Sequence, residues 1–217
     1  MKLIDKENIE FFYLNDKKIF IGSYGFSSLE SEIFTYQKKV FDYFNTPLNQ
    51  FVGDNRHPEF MDYIINNVDV EFFIFFDIDC IPLKPNIIEY LISSIGDETM
   101  IGIEQQCNSK TNLEHIYAGP ACFAISKKFY KEIGEPSFNE TYRSDVAEEL
   151  TFICEKLGKK FKVIEKTISE DNIWKLKGGR FFGHGTTYGD NIVYHQFEIR
   201  SYNGNFINKC KEILNNE

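Results

Sequence analysis

The sequence predicts an α/β fold built on a mostly parallel sheet flanked by helices. Two observations carry that prediction. Short apolar strands alternate with amphipathic helices through the first half of the chain. One of those strands, Phe72–Phe76, is five apolar residues in a row, as expected of a strand buried on both faces in a parallel sheet.

The elements follow in order. Lys18–Ile21 reads as a first strand, closed by Gly22-Ser23-Tyr24-Gly25. Leu29 to Phe44 carries apolar residues near helical spacing, and Pro47 stops it. Leu48–Val52 reads as a short second strand. His57-Pro58 opens a helix, with proline in the tolerated first turn. Phe72–Phe76 is the third strand. The helix Ile87–Ile95 stops at Gly96, and Met100–Glu104 is a further strand. The second half is less regular. Ala121–Ser126 reads as a strand after the turn Ala118-Gly119-Pro120. Asp145 to Leu157 reads as a helix and Phe161–Ile164 as a strand. Trp174 to Gly189, with five glycines, reads as a mobile loop. Ile192–Phe197 reads as a strand and Phe206–Leu214 as a last helix. The length of 217 residues suits one domain, 1–217, with a ligand-binding half over about 17–105 and a second half over about 106–217.

Composition narrows the function. Lys and Arg total 24 against 33 Asp and Glu, a net charge of −9. That balance argues against a surface that grips nucleic acid or anionic membrane throughout. The five cysteines, Cys80, Cys107, Cys122, Cys154 and Cys210, fall at no metal-knuckle spacing and read as reduced thiols of a cytoplasmic protein. The N-terminus reads as no signal peptide, and no apolar stretch is long enough to span a bilayer.

The chemistry concentrates at Asp77 and Asp79. In an α/β sheet, ligands bind at the carboxyl ends of the strands, and these two residues directly follow the apolar strand. A carboxylate pair there is costly to leave unpaired, and a bound cation explains it best. The plainer reading is an exposed turn in which Asp77 caps the next segment.

Phe72–Phe76 followed by Asp77-Ile78-Asp79 resembles the DxD motif of GT-A nucleotide-sugar glycosyltransferases, a Rossmann-like family. The resemblance implies Mn²⁺ or Mg²⁺ held by Asp77 and Asp79 against the diphosphate of a nucleotide-sugar donor, a UDP-sugar first. Tyr117–Ser126 and the following Lys127–Gly134 are similar to the family's acceptor-lining strand and the helix after it. Asp145-Val-Ala-Glu148-Glu149 is similar to the acidic helix start that supplies the base in inverting members. It implies Glu149 first, with Glu148 and Asp145 as rivals. His195, near the C-terminus, matches the position of a third metal ligand, with His184 of Gly-His-Gly as its rival. Gly22, Ser23 and Tyr24 fall where the nucleotide base sits in similar enzymes, and Tyr24 is the candidate stacker. Lys175, Lys177 and Arg180 lie in the glycine-rich stretch, where a closing loop would bring positive charge to the diphosphate.

Each of these has a bland alternative. Acids at a helix start are favoured by the helix dipole alone. Tyr24 and Trp174 are equally suited to a core in a chain with 22 Phe and 12 Tyr. Asn55, Arg56 and His57 can face the donor or cap the helix they precede, and His115 reads as a plain loop residue. Two other functions compete. A haloacid-dehalogenase-like phosphatase also places Asp-x-Asp after an apolar strand, but Met100-Ile-Gly-Ile-Glu104 lacks its Ser or Thr. A catalytically inactive sugar-binding module of the same fold is the other. The hydroxyl acceptor is left open among glycan, lipid-linked sugar, protein and modified nucleobase, the last disfavoured by charge.

Overall fold

The computed structural model describes residues 9–106, 115–175 and 181–215. Lys177, Arg180 and Cys107 lie outside them. Two sheets are present among the described residues. In the first, the strands are β1 (Phe11–Leu14), β2 (Lys17–Phe26), β3 (Asn49–Gly53), β4 (Phe72–Asp77), β6 (Met100–Gln106), β7 (Ile116–Ser126) and β8 (Lys162–Ile164). Their order is β1-β2-β4-β7-β6-β8, with β3 also paired to β2. Strands β2, β3, β4, β6 and β8 run one way, and only β1 and β7 oppose them. The expected mostly parallel sheet is therefore present, with one antiparallel strand near its centre.

Helices cover both faces. Phe73 and Phe75 of β4 pack with Phe60, Met61, Ile64 and Ile65 of α2 (His57–Asn67), Phe129 of α4 (Lys127–Glu132), and Leu150 and Cys154 of α5 (Glu148–Leu157). Phe72, Ile74 and Phe76 face the other way, onto Ile87, Ile88, Leu91 and Ile95 of α3 (Ile87–Ile95). All five β4 residues from Phe72 to Phe76 are buried. The uninterrupted apolar run thus has its cause: alternate side chains enter two different cores. Each such phenylalanine contributes on the order of 1.5–3 kcal/mol of burial.

The second sheet, ordered β5-β11-β10-β9, is antiparallel throughout. Its strands are β5 (Cys80–Pro82), β9 (Lys166–Lys175), β10 (Phe181–Tyr188) and β11 (Val193–Gln196). Helices α1 (Ser31–Tyr43) and α6 (Ile199–Leu214) pack with it through Ile33, Val40, Ile81, Tyr194, Phe206 and Cys210. The chain leaves the first sheet at Asp77 and enters the second at Cys80, so the Ile78-Asp79 turn joins them.

Several expectations are corrected. The first strand does not close at Gly22 but runs on to Phe26, and the hairpin strand β1 precedes it. Ala118-Gly119-Pro120 lies inside β7 rather than in a turn. The described parts of the stretch expected to be a mobile loop, up to Lys175 and from Phe181, are strands of a hairpin. Among its described glycines, Gly183 answers to contact rather than flexibility: a Cβ there would lie 1.8 Å from the Glu170 carbonyl oxygen. The acidic helix begins at Glu148, and the last helix at Ile199, with a kink at Tyr202. Among the described residues, no helix is long and apolar enough to cross a membrane.

Candidate metal centre

Asp77 is the last residue of β4, opposite Tyr24 of β2. Asp79 follows in the turn between the sheets. In the β5–β11 pair Cys80 stands opposite His195, and the Gln196 N–H donates to the Asp79 carbonyl at 2.9 Å. This pairing delivers the His195 ring to the carboxylates. Its Nε2 lies 3.4 Å from Asp79 Oδ1 and 4.0 Å from Asp77 Oδ2. One donor atom from each of Asp77, Asp79 and His195 falls within 4.8 Å of the others, a group that can hold a metal ion. His184, the rival, faces Glu198 at 3.5 Å and lies against the Tyr202 ring at 3.6 Å instead.

The electrostatics of the trio are strongly coupled. Burial alone would raise the Asp77 carboxyl, but the His57 charge and hydrogen bond outweigh it, with help from His195, and hold it below the usual range. Burial raises the Asp79 carboxyl, and the Asp77 charge adds to that against the opposing pull of His195. Burial would lower both imidazoles, yet the carboxylates lift His57 and His195 above their ordinary value. Two carboxylates pushed apart in this way, with a neutral-capable imidazole beside them, form an oxygen-rich donor set. It fits a hard divalent cation. The other ring nitrogen, His195 Nδ1, is buried without a hydrogen-bond partner, and the ring is held by edge packing on Phe197 at 4.2 Å.

Residues not singled out from the sequence support the centre. Gln37, buried on α1, donates from Nε2 to the carbonyls of Asp77 at 2.7 Å and Cys80 at 3.0 Å, and its Oε1 accepts from Ser23 Oγ at 2.9 Å. It clamps the turn that carries Asp79. A polar residue on the apolar face of a predicted helix was its only sequence signal. Arg200, on the first turn of α6, has its guanidinium 4.8 Å from the Phe26 ring. It lines a cavity of about 140 Å³ with Tyr24, His57, Asp77 and Asp79.

The other expected residues fall as follows. Gly22 and Ser23 are buried mid-strand, whereas Tyr24 lines the cavity. The Tyr24 ring stacks on Phe60 at 5.1 Å, and its hydroxyl donates to the Asn55 carbonyl. Arg56 is exposed and ion-paired with Glu140. Trp174 packs against His184 and Phe197.

Glu148 and Glu149 sit on the same carboxyl edge of the sheet, since Thr151 Oγ1 of α5 accepts from the Ala118 N–H. Glu148 is fully buried. It accepts from the Asp145 N–H at 2.7 Å and faces His115 Nδ1 at 2.6 Å. Glu149 is gripped by the Arg143 guanidinium at both oxygens, and that hydrogen bonding holds its carboxyl below the usual range. Asp145 accepts from the Val146 N–H at 2.8 Å.

No protein-family model matches the sequence, and no curated protein matches it. Solved structures similar in fold include a glycosyltransferase involved in glycosylation of the major capsid of PBCV-1, at 9% identity and TM-score 0.45, covering 88% of this chain and 98% of that one. The apo-form glycosyltransferase GlyE of Streptococcus pneumoniae TIGR4 is similar at 8% identity and TM-score 0.43, over 68% of this chain and 45% of that one. The inositol-1-phosphate CTP transferase of T. maritima is similar at 13% identity and TM-score 0.43, over 91% and 78%. At these identities, and with TM-scores below 0.5, the likeness carries no argument about this chain.

Proposed function

We propose that the chain is a metal-dependent glycosyltransferase acting as one domain, with a nucleotide-diphosphate sugar, UDP-linked first, as donor and a hydroxyl compound as acceptor. The observation that carries this reading is the convergence of Asp77, Asp79 and His195 at the carboxyl edge of a helix-covered sheet. Those three side chains are the proposed metal ligands. A divalent ion bound there supplies charge neutralisation for a departing nucleotide diphosphate without proton transfer.

The chain's own residues do the rest. Arg200 adds positive charge at the cavity rim beside the carboxylates. Tyr24 lines the same cavity while its hydroxyl stays tied to Asn55. Glu149 is the proposed base for an inverting reaction. It can take a proton only after loosening from Arg143, whose grip lowers its basicity. That grip equally suits a second reading, a sugar-nucleotide-binding module without catalysis.

A thermal-shift screen of nucleotide sugars with and without Mn²⁺ tests the proposal, because a ligand of the native state raises apparent stability. A shift that needs both Mn²⁺ and one class of nucleotide sugar is expected, followed by sugar release or transfer for that donor. No Mn²⁺-dependent shift with any donor overturns it. A shift without turnover selects the module.

A further inference from the structure

The centre has a neighbour that the three-ligand description leaves out. His57 is the first residue of α2, and its Nδ1 lies 2.8 Å from Asp77 Oδ1. The ring is fixed from several sides. It lies nearly parallel to Tyr24, 7° between planes at 6.5 Å, and to Phe60, 20° at 6.4 Å. Tyr24 is in turn anchored to the Asn55 carbonyl two residues before His57, and Pro58 fixes the first helical turn. Such a ring has little freedom to swing, so the direction of its Nδ1–H is set by the fold.

The consequence falls on Asp77. Its Oδ1 is occupied by His57, and its Oδ2 is the oxygen that faces His195 Nε2 at 4.0 Å. Asp79 Oδ1 faces the same nitrogen at 3.4 Å. A carboxylate with one oxygen committed to a fixed donor presents the other in one direction only. We propose that His57 is a positioning residue for the metal centre: its Nδ1–H bond to Asp77 Oδ1 turns Oδ2 toward Asp79 and His195 and makes Asp77 a one-oxygen ligand. The usual arrangement has a carboxylate orienting a ligating histidine. Here the roles are exchanged, because the carboxylate ends a strand and the imidazole starts a helix. The inference rests on the metal assignment above.

The test is Mn²⁺ affinity of the full chain without substrate, read by calorimetry or by the resonance of free Mn²⁺, for wild type, His57→Asn, His57→Gln and His57→Phe. Circular dichroism confirms folding in each. An asparagine amide can donate from near the Nδ1 position, a glutamine amide sits nearer Nε2, and phenylalanine keeps the stack but donates nothing. Outer-shell partners of metal ligands are typically worth about 10–100-fold in affinity, so Phe and Gln should weaken Mn²⁺ binding by about that factor and Asn by clearly less. Wild-type affinity in His57→Phe overturns the proposal, because the stack would then suffice without the donor, as does equal loss in all three variants, because a donor near the Nδ1 position would then restore nothing. Absence of Mn²⁺ binding in the wild type sinks the metal assignment itself and takes this role with it. If Phe fails to fold, the Asn–Gln contrast still decides.

Discussion

His195 Nε2 lies 3.4 Å from Asp79 Oδ1 because Cys80 and His195 stand opposite each other in the β5–β11 ladder. Asp79 occupies the turn between two sheets, and only the second sheet's pairing brings the histidine to it.

Asp79→Asn separates metal binding from folding. Burial and the Asp77 charge push the Asp79 carboxyl up, so keeping it ionised at neutral pH costs native stability. The variant should therefore melt, metal-free, at or above the wild-type temperature, while losing the stabilisation that Mn²⁺ gives. At 100 times Kd that stabilisation is about 2.7 kcal/mol. Calorimetric melts with and without Mn²⁺ check both halves, and a retained Mn²⁺ shift would contradict the ligand assignment.

Gln37→Met removes the donor that holds the Asp77 and Cys80 carbonyls. Buried acceptors left unpaired cost about 1–3 kcal/mol. A urea titration should show a loss in that range, and Mn²⁺ affinity should fall as the 77–80 turn loosens. Lost stability with unchanged affinity would mean that the turn does not depend on the clamp.

Stability should fall as pH rises above 6.5 through His115. Burial would lower this imidazole, but hydrogen bonds and charge from Glu148 and Glu155 raise it above its ordinary 6.5. A raised value means that the native state binds the proton more tightly. The contribution is complete below pH 6.5 and is lost as pH rises through the higher folded value. His57 and His195 act in the same direction. Comparing urea midpoints of wild type and His115→Asn from pH 6 upward isolates the His115 share, and the variant should show the shallower decline.

Arg200→Ala should raise the KM for a nucleotide-sugar donor by about tenfold, the equivalent of ~1.4 kcal/mol, with little change in melting temperature. Arg200 is exposed and touches the Phe26 ring, so its loss removes charge at the cavity rim rather than core packing. Steady-state kinetics in donor concentration give the answer, and an unchanged KM would exclude it from the donor site.

Glu149→Gln should cut kcat by about 10²–10⁴-fold if Glu149 is the base, with donor binding intact. A normal rate would assign the Arg143–Glu149 pair to holding the loop before α5.

By itself the sequence determined the helix-covered mostly parallel sheet and the Asp77/Asp79 pair at a strand's end. Both signals are local: an unbroken apolar run and two carboxylates beside it report burial within a few residues. It also suggested His195 by resemblance. Only the tertiary structure brings His195 rather than His184 to Asp79, because β-ladder register, not spacing along the chain, sets which histidine meets it. The glycine-rich stretch read as a loop, since glycine signals freedom locally. In the fold, Gly183 is required by the close approach of Glu170 across the β9–β10 pair. Gln37 and His57 were likewise decided by packing. One is a polar residue on a buried helix face and the other a helix-opening histidine, and neither has meaning until the fold places Asp77 against it.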